Sequence, residues 1–301
     1  MRRATALVVA AGLLAITLTG CSSDPNASCD TALQPGKASD LVTATGKLGT
    51  KPTVSFPTPI DTTKSQRSTL IEGDGAQIQK GQMVELQYSL FDGKTGAVGG
   101  TSSYESSDPL LVPVGAISIP ALNTGLLCTR VGDRVAIAIA PKDAGTQAPD
   151  GSVVAVIDVV GSFLPKANGT PQPSVSGFPT VVLAPTGQPG ITIPGHAAPT
   201  SVKTETLLAG GGETVKKDSK VVLHYTAVGW DAKTVTASTW TNGSPDQVTI
   251  DTGESAQNQA LPQSMTKALV GKKVGSQVVV LTPKTDQVPA LAWVVDILGV
   301  R

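Results

Sequence analysis

The sequence predicts an α+β fold built twice, in which each unit is an antiparallel sheet curled around one short helix. Several short runs alternate apolar with polar residues, which is typical of strands. The segments suited to a helix are short and follow Pro120 and Pro262, and proline favours a first helical turn. Five motifs recur in the same order. The chain of 301 residues is long enough for two domains.

The recurring motifs define two repeats and a linker. The paired segments are 52–59 with 179–186, 70–75 with 207–212, 84–88 with 221–225, 126–132 with 269–275, and 156–161 with 294–299. We therefore predict a first repeat at 41–165 and a second repeat at 179–301. Between them, 166–178 is rich in Pro, Gly, Ser, Asn and Gln, as expected of a linker.

Strands and helices follow from periodicity within each repeat. Val84, Leu86, Tyr88 and Leu90 alternate with polar residues and predict a half-buried strand. The runs 153–160 and 292–298 are continuously apolar and predict central strands. The two helices are expected to run from the prolines to about residues 127 and 269.

Composition disfavours several classes of function. Lys and Arg total 23, as do Asp and Glu, so the zero net charge disfavours electrostatic binding of nucleic acid. The two histidines, His196 and His224, leave little basis for a metal cluster or a histidine-dependent catalytic triad. We predict no metal and no cofactor.

The first 21 residues carry an export signal. Arg2 and Arg3 precede a charge-free apolar stretch at 4–17, which is short for a membrane span. The following Leu-Thr-Gly-Cys, ending at Cys21, resembles the bacterial lipobox. It predicts a signal peptide at 1–20, lipidation of Cys21, a flexible tether at 21–40 and location on the extracytoplasmic face of the cell membrane. The alternative is an ordinary secretory signal with a chance cysteine.

Two cysteines remain, Cys29 and Cys128. In an exported chain an even pair is compatible with a disulfide, and two buried free thiols are the alternative. There is no C-x-x-C motif, so a thioredoxin-like redox role is not supported.

The motifs together resemble the FKBP-type peptidyl-prolyl cis–trans isomerases, over about 74–161 and 212–301. The second repeat resembles them more closely, and with the lipobox the chain is similar to secreted actinobacterial members. The segments that carry the resemblance are Val221–Thr226, Thr236–Trp240, Leu261-Pro262 with 269–275, and Trp293–Leu298, and in the first repeat Tyr88, Ile119-Pro120, Leu122 and Val131-Gly132.

The resemblance implies an isomerase that assists the folding of exported proteins by acting on their proline-containing segments. A pocket between sheet and helix would hold the substrate, with the weak activity mainly in the second repeat. The resemblance implies Tyr225 and Trp293 as catalytic residues. It implies as substrate-binding residues Trp240, Leu261, Met265, Tyr88, Ile119 and Leu122.

The sequence also departs from the family pattern. The family's pocket Phe-Asp pair corresponds to Thr236-Ala237 and to Gly100-Thr101, so we expect no buried carboxylate in either pocket. The closing-strand aromatic is Trp293 in the second repeat but Ala155 in the first. A non-catalytic peptide-binding or chaperone-like lipoprotein that uses the same grooves is therefore the alternative function.

Other expectations concern single residues and assembly. Tyr88, Tyr225 and Trp293 are each also compatible with simple core packing. His224 is expected on the face opposite Tyr225, at the surface, while Asp158 and Asp296 are expected to cap or pair locally. We expect a monomer with no nucleic-acid partner.

Overall fold

The computed structural model describes residues 29–145, 151–255 and 261–301. The predicted signal peptide and the lipidation site at Cys21 lie outside these residues. The described chain is mostly β, with few helices. None of its described helices is long and apolar enough to cross a membrane.

The elements of the first half, in chain order, are α1 (Lys37–Asp40), β1 (Thr43–Thr45), β2 (Thr53–Ser55), β3 (Gln66–Ile71), β4 (Met83–Asp92), β5 (Val98–Thr101), β6 (Leu110–Pro113), α2 (Pro120–Leu126), β7 (Arg134–Ile139) and β8 (Val153–Ser162). A 3₁₀ helix at Pro141–Asp143 follows β7.

The elements of the second half are β9 (Thr170–Pro171), β10 (Thr180–Leu183), β11 (Pro189–Thr192), β12 (Lys203–Ala209), β13 (Lys220–Gly229), β14 (Val235–Ser238), β15 (Asp246–Thr249), α3 (Gln263–Lys267), β16 (Gln277–Thr282) and β17 (Leu291–Val300).

The two halves have the same sheet topology. The first sheet has the order β3-β7-β8-β4-β5, with β6 also paired to β4. The second has the order β12-β16-β17-β13-β14, with β15 paired to β13 and β9 added beyond β12. The pairings are antiparallel in both sheets. The predicted central strands are β8 and β17, and α2 and α3 follow the two prolines as expected.

Each sheet is covered on both faces, which the sequence analysis did not anticipate. The helix packs on the inner face, and a two-stranded hairpin packs on the outer face: β1-β2 in the first repeat and β10-β11 in the second. Val156 of β8 belongs to the outer cluster, while Ala155 and Ile157 belong to the inner one. Burial on both faces explains why the central strands are continuously apolar.

One repeated motif does not mark equivalent structure. The segment 52–59 contains β2, the second arm of its hairpin, whereas 179–186 contains β10, the first arm of the other. The sequence match therefore paired opposite arms of the two hairpins.

The predicted tether and linker are also more structured than expected. Within 21–40, α1 packs against the first sheet, and the Oγ of Ser39 lies 2.7 Å from that of Ser68. Cys29 forms a disulfide with Cys128. Within 166–178, β9 extends the second sheet by pairing with β12. The tether and the linker were expected to be irregular, but part of each packs against or pairs with a sheet.

The two repeats meet along a small apolar contact. Met83, Val222 and Leu298 form its buried centre, and Leu111, Phe163 and Leu164 pack against them. The amide of Leu164 donates to the carbonyl of Leu298 at 3.1 Å. The second repeat therefore packs directly beside β4 and β6 of the first.

Candidate functional site

The first repeat contains an open apolar groove between its sheet and the start of α2. Its volume of about 270 Å³ lies just below the range of about 300–1,000 Å³ typical of drug-sized ligands. It therefore suits one side chain and its adjoining backbone. Three residues predicted to bind substrate, Tyr88, Ile119 and Leu122, line it. The other lining residues are Leu86, Leu90, Leu110, Val112, Ile117, Ser118 and Ile157.

Tyr88 supplies the phenol of this groove and is held firmly by its backbone. Its amide donates to Ser102 Oγ at 3.0 Å, and its carbonyl accepts from the Ser102 amide at 3.0 Å. The side chain is half-buried, and its hydroxyl makes no hydrogen bond to the described part of the chain. The hydroxyl is therefore available to donate to a ligand in the groove.

A small residue on the neighbouring strand keeps the groove open. Ala155 of β8 pairs with Leu90 of β4, and both belong to the inner core. In the second repeat the equivalent pair is Trp293 with Ala227. An indole in the place of a methyl group occupies the space that the first repeat leaves free.

The corresponding region of the second repeat is packed. Tyr225, Trp293, Leu261 and Met265 belong to one core cluster and are at most 6% exposed. The rings of Tyr225 and Trp293 meet edge to face with centroids 5.9 Å apart. The indole Nε1 of Trp293 donates to Thr282 Oγ1 at 3.2 Å. The structure thus brings these four predicted residues together, but as a filled core.

A buried carboxylate lies beside Tyr225, and the expectation of none in either pocket is wrong. Asp246 is fully buried at the start of β15. The Tyr225 hydroxyl donates to Asp246 Oδ2 at 3.5 Å, and the Ser255 hydroxyl donates to the same oxygen. Burial, reinforced by the negative charge of Asp246, raises the pKa of Tyr225 to about 12.

The sequence contained a signal for Asp246. Asp246, Val248 and Ile250 alternate, and alternate residues of a strand share a face. Val248 and Ile250 belong to the inner core, so Asp246 also points inward. The family motif led us to look for the carboxylate at residue 237, which is on β14, and Asp246 on β15 was therefore not considered.

Trp240 does not join the other predicted residues. It stacks on His224 with ring centroids 3.9 Å apart and borders a separate cavity of about 170 Å³ between the repeats. His224 lies opposite Tyr225, as expected, but it is buried rather than at the surface. Burial lowers the pKa of His224 to about 3, so the imidazole is neutral at ordinary pH.

Asp158 and Asp296 occupy equivalent buried positions in the two central strands and have different partners. Arg134 Nε and Nη2 donate to the two carboxylate oxygens of Asp158 at 2.6 and 2.7 Å. Asp296 instead accepts from Gln277 Nε2 at 2.7 Å and from the Ala167 amide at 2.9 Å. Burial raises the pKa of Asp296 to about 6, against the lowering effect of these two hydrogen bonds and of the positive charge of Lys166. Both carboxylates pair locally and lie outside the residues that line the groove.

The described residues contain no group of three or more His, Cys, Asp and Glu side chains that could hold a metal ion. The groove offers apolar contact and one phenol, which suits uncharged peptide rather than an ion.

Comparison with known proteins finds similarity only among solved structures. No family model and no curated protein sequence matches the chain. The three FKBP domains of wheat FKBP73 match at 16% identity, covering 79% of this chain and 94% of that one, with a TM-score of 0.34. The N-terminal domain of FKBP42 from Arabidopsis thaliana matches at 15% identity over 37% and 96%, with a TM-score of 0.31.

A peptidyl-prolyl cis–trans isomerase from Pseudomonas syringae pv. tomato matches at 17% identity. That match covers 33% of this chain and 74% of the other, with a TM-score of 0.28. The structures that the chain resembles are thus of the FKBP and peptidyl-prolyl isomerase kind.

Proposed function

We propose that the chain is an extracytoplasmic peptidyl-prolyl cis–trans isomerase whose working site is the groove of the first repeat. The observation that supports this most directly is the open apolar groove with the unbonded Tyr88 hydroxyl. Its substrates are proline-containing segments of exported proteins. We assign the activity to the first repeat rather than the second, because Tyr225 and Trp293 fill the equivalent region of the second repeat.

The chemistry needs no nucleophile. Rotation about an X-Pro bond faces a barrier of about 18–20 kcal/mol because the planar amide loses its resonance. The twisted amide is less polar than the planar one, so an apolar groove favours it relative to water. A donor at Tyr88 holds the carbonyl of the rotating bond, while Ile119 and Leu122 contact the prolyl ring.

Two features support location outside the cytoplasm. The lipobox at Cys21 predicts a lipid anchor, and the disulfide between Cys29 and Cys128 belongs in an oxidising compartment. The anchor would hold the chain on the outer face of the cell membrane, where exported proteins emerge unfolded.

The decisive experiment measures isomerisation of a Leu-Pro peptide by the full chain in detergent, with NMR exchange spectroscopy. Tyr88→Phe removes only the hydroxyl, and we expect kcat/KM to fall about tenfold, the equivalent of one hydrogen bond to the substrate. Tyr104→Phe is the matched control, because the Tyr104 hydroxyl lies 2.8 Å from Ser89 Oγ and does not line the groove. Equal rates for the two variants would place the activity elsewhere.

One observation favours a second candidate, a non-catalytic peptide-binding protein. The described residues that line the groove include no carboxylate, and Tyr88 is their one aromatic side chain. If the full chain binds the Leu-Pro peptide at the groove without accelerating isomerisation, this second function is correct and the isomerase proposal is wrong.

A further inference from the structure

We propose that the second repeat positions one wall of the first repeat's groove, and that Arg301 and Leu111 transmit this effect. The inference rests on the proposed function, because it concerns the affinity of the same groove for peptide. The wall is β6, and neither of the two residues lines the groove itself.

Strand β6 separates the groove from the second repeat. Leu110 and Val112 line the groove, whereas Leu111, between them, packs against the contact centred on Val222 and Leu298. This follows from the alternation of side chains along a strand. Among the described strands β6 pairs only with β4, so its outer edge lacks a neighbouring strand.

Arg301, a residue of the second repeat, forms a hydrogen bond and ion pairs with residues next to the start of β6 and on β4. Its Nη2 donates to the Pro109 carbonyl at 2.8 Å, and its Nε lies 3.3 Å from Glu85 Oε1. The same Nη2 lies 3.7 Å from Asp108 Oδ1. The Arg301 and Glu85 side chains are 21% and 22% exposed, so their contact is partly shielded from water, whereas Asp108 is 79% exposed. Its backbone amide donates to the Lys220 carbonyl, which ties it to the second sheet.

The second repeat provides an internal comparison. Leu111 pairs with Glu85, and the equivalent residue on β15, paired with Val222, is Gln247. Leu111 is therefore apolar on β6, which packs against the second repeat, whereas its equivalent on β15, Gln247, is polar. This difference is expected if the position of Leu111 is apolar because it packs against the second repeat, and not because the sheet requires an apolar residue there.

The contacts made by Arg301 and Leu111 are expected to control the width of the groove. Leu110 and Val112 keep their distance from Tyr88 only while β6 stays against β4. Loss of the Arg301 or Leu111 contact lets β6 move outward, which widens the groove and removes apolar contact with a bound peptide. Neither residue is expected to touch that peptide.

The first test uses amide hydrogen exchange of the full chain and needs no ligand. In Arg301→Ala and in Leu111→Gln we expect the β6 amides to exchange about tenfold faster relative to those of β8. Lys217→Ala is the control, since Lys217 makes a surface ion pair with Asp251, which does not line the groove. An unchanged ratio of β6 to β8 exchange in both variants would overturn the proposal.

The second test separates positioning from catalysis with the Leu-Pro peptide. Both variants should raise KM about tenfold with kcat unchanged, as expected when ground-state and transition-state binding are lost equally. Leu111→Met keeps the apolar contact and should restore the wild-type KM. A fall in kcat alone would contradict positioning. If wild-type protein neither binds nor isomerises the peptide while β6 exchange responds, the proposed function fails and the positioning of β6 stands.

Discussion

The two repeats have the same order of their five shared strands and equivalent buried aspartates, yet the space between sheet and helix is open in one and filled in the other. The first leaves a groove of about 270 Å³ beside Tyr88, and the second packs Tyr225 and Trp293 into its core. One difference is a cross-strand pair, Leu90 with Ala155 against Ala227 with Trp293, and another is Leu110 of β6 against Asp246 of β15. The size of the central-strand residue, Ala155 or Trp293, therefore contributes to whether a repeat has a groove or a packed core.

Exchanging that residue should exchange the properties of the repeats. Trp293→Ala removes a buried indole, and we expect a loss of about 4 kcal/mol in unfolding free energy together with a new cavity in the second repeat. Ala155→Trp should fill the groove and abolish binding of the Leu-Pro peptide. Urea unfolding and peptide titration measure the two effects. Binding that survives Ala155→Trp would show that the peptide does not use the groove.

The next largest effect concerns the aspartate partners. Arg134→Gln gives the first repeat the residue found at the same place in the second, and it leaves Asp158 buried without its cation. We expect a loss of at least about 3 kcal/mol in unfolding free energy, the lower limit for broken buried ion pairs, because the substitution also removes the guanidinium donors to the carbonyls of Gly46, Lys47 and Thr50. Urea unfolding measures it.

The reverse substitution completes this comparison. Gln277→Arg should supply Asp296 with a cation and lower its pKa from about 6. NMR titration of the Asp296 carboxyl measures the change. A pKa that stays near 6 in this variant would show that an added cation does not offset the burial of Asp296.

Asp296 should also make stability depend on pH. Its pKa is raised from 3.8 to about 6, so the folded state holds the proton more tightly than the unfolded state. The stabilisation from protonated Asp296 is complete below about pH 4 and is lost as pH rises through about 6. The full difference is about 3 kcal/mol at 1.36 kcal/mol per unit of pKa.

Asp296→Asn isolates this contribution. An asparagine cannot ionise, and Gln277 can turn its amide to keep one hydrogen bond to it. We expect the difference in unfolding free energy between Asp296→Asn and wild type to change between about pH 4 and pH 6 and to be constant above that. A constant difference across the whole range would contradict the shifted pKa.

The smallest expected effect is at Tyr225. Tyr225→Phe removes a hydroxyl that donates to Asp246 at 3.5 Å, and we expect a loss of about 1 kcal/mol in unfolding free energy. Peptide isomerisation should change less than twofold. A tenfold fall in kcat/KM for this variant would return the working site to the second repeat.

The sequence predicted features that depend on local pattern. The alternation around Tyr88 predicted β4, the prolines predicted the starts of α2 and α3, and the order of motifs predicted two similar sheets. The outer hairpins were missed because a strand buried on both faces reads as continuously apolar whatever covers it. The positions of Trp240 and Asp246 depend on which strand lies next to which, and a motif aligned to one strand does not contain that information.

Which repeat holds an open groove could not be predicted either. Trp293 was expected either to be a catalytic pocket residue or to pack in the core, and in the structure its ring contacts Tyr225. Whether an indole lines a cavity or fills it depends on the volume left by Ala227 and Met265 across the core. That volume is a property of the packed structure.

The disulfide between Cys29 and Cys128 also determines how the molecule bears force. The cysteines are 99 residues apart, so residues 30–127 form a closed covalent loop. Tension between the N-terminal segment and the second repeat passes through the sulfur atoms and bypasses that loop. Tyr88, Ile119 and Leu122 lie inside the loop, so a pull on the N-terminal segment does not stretch the backbone that carries these three groove residues, whereas Ile157 of β8 lies outside it.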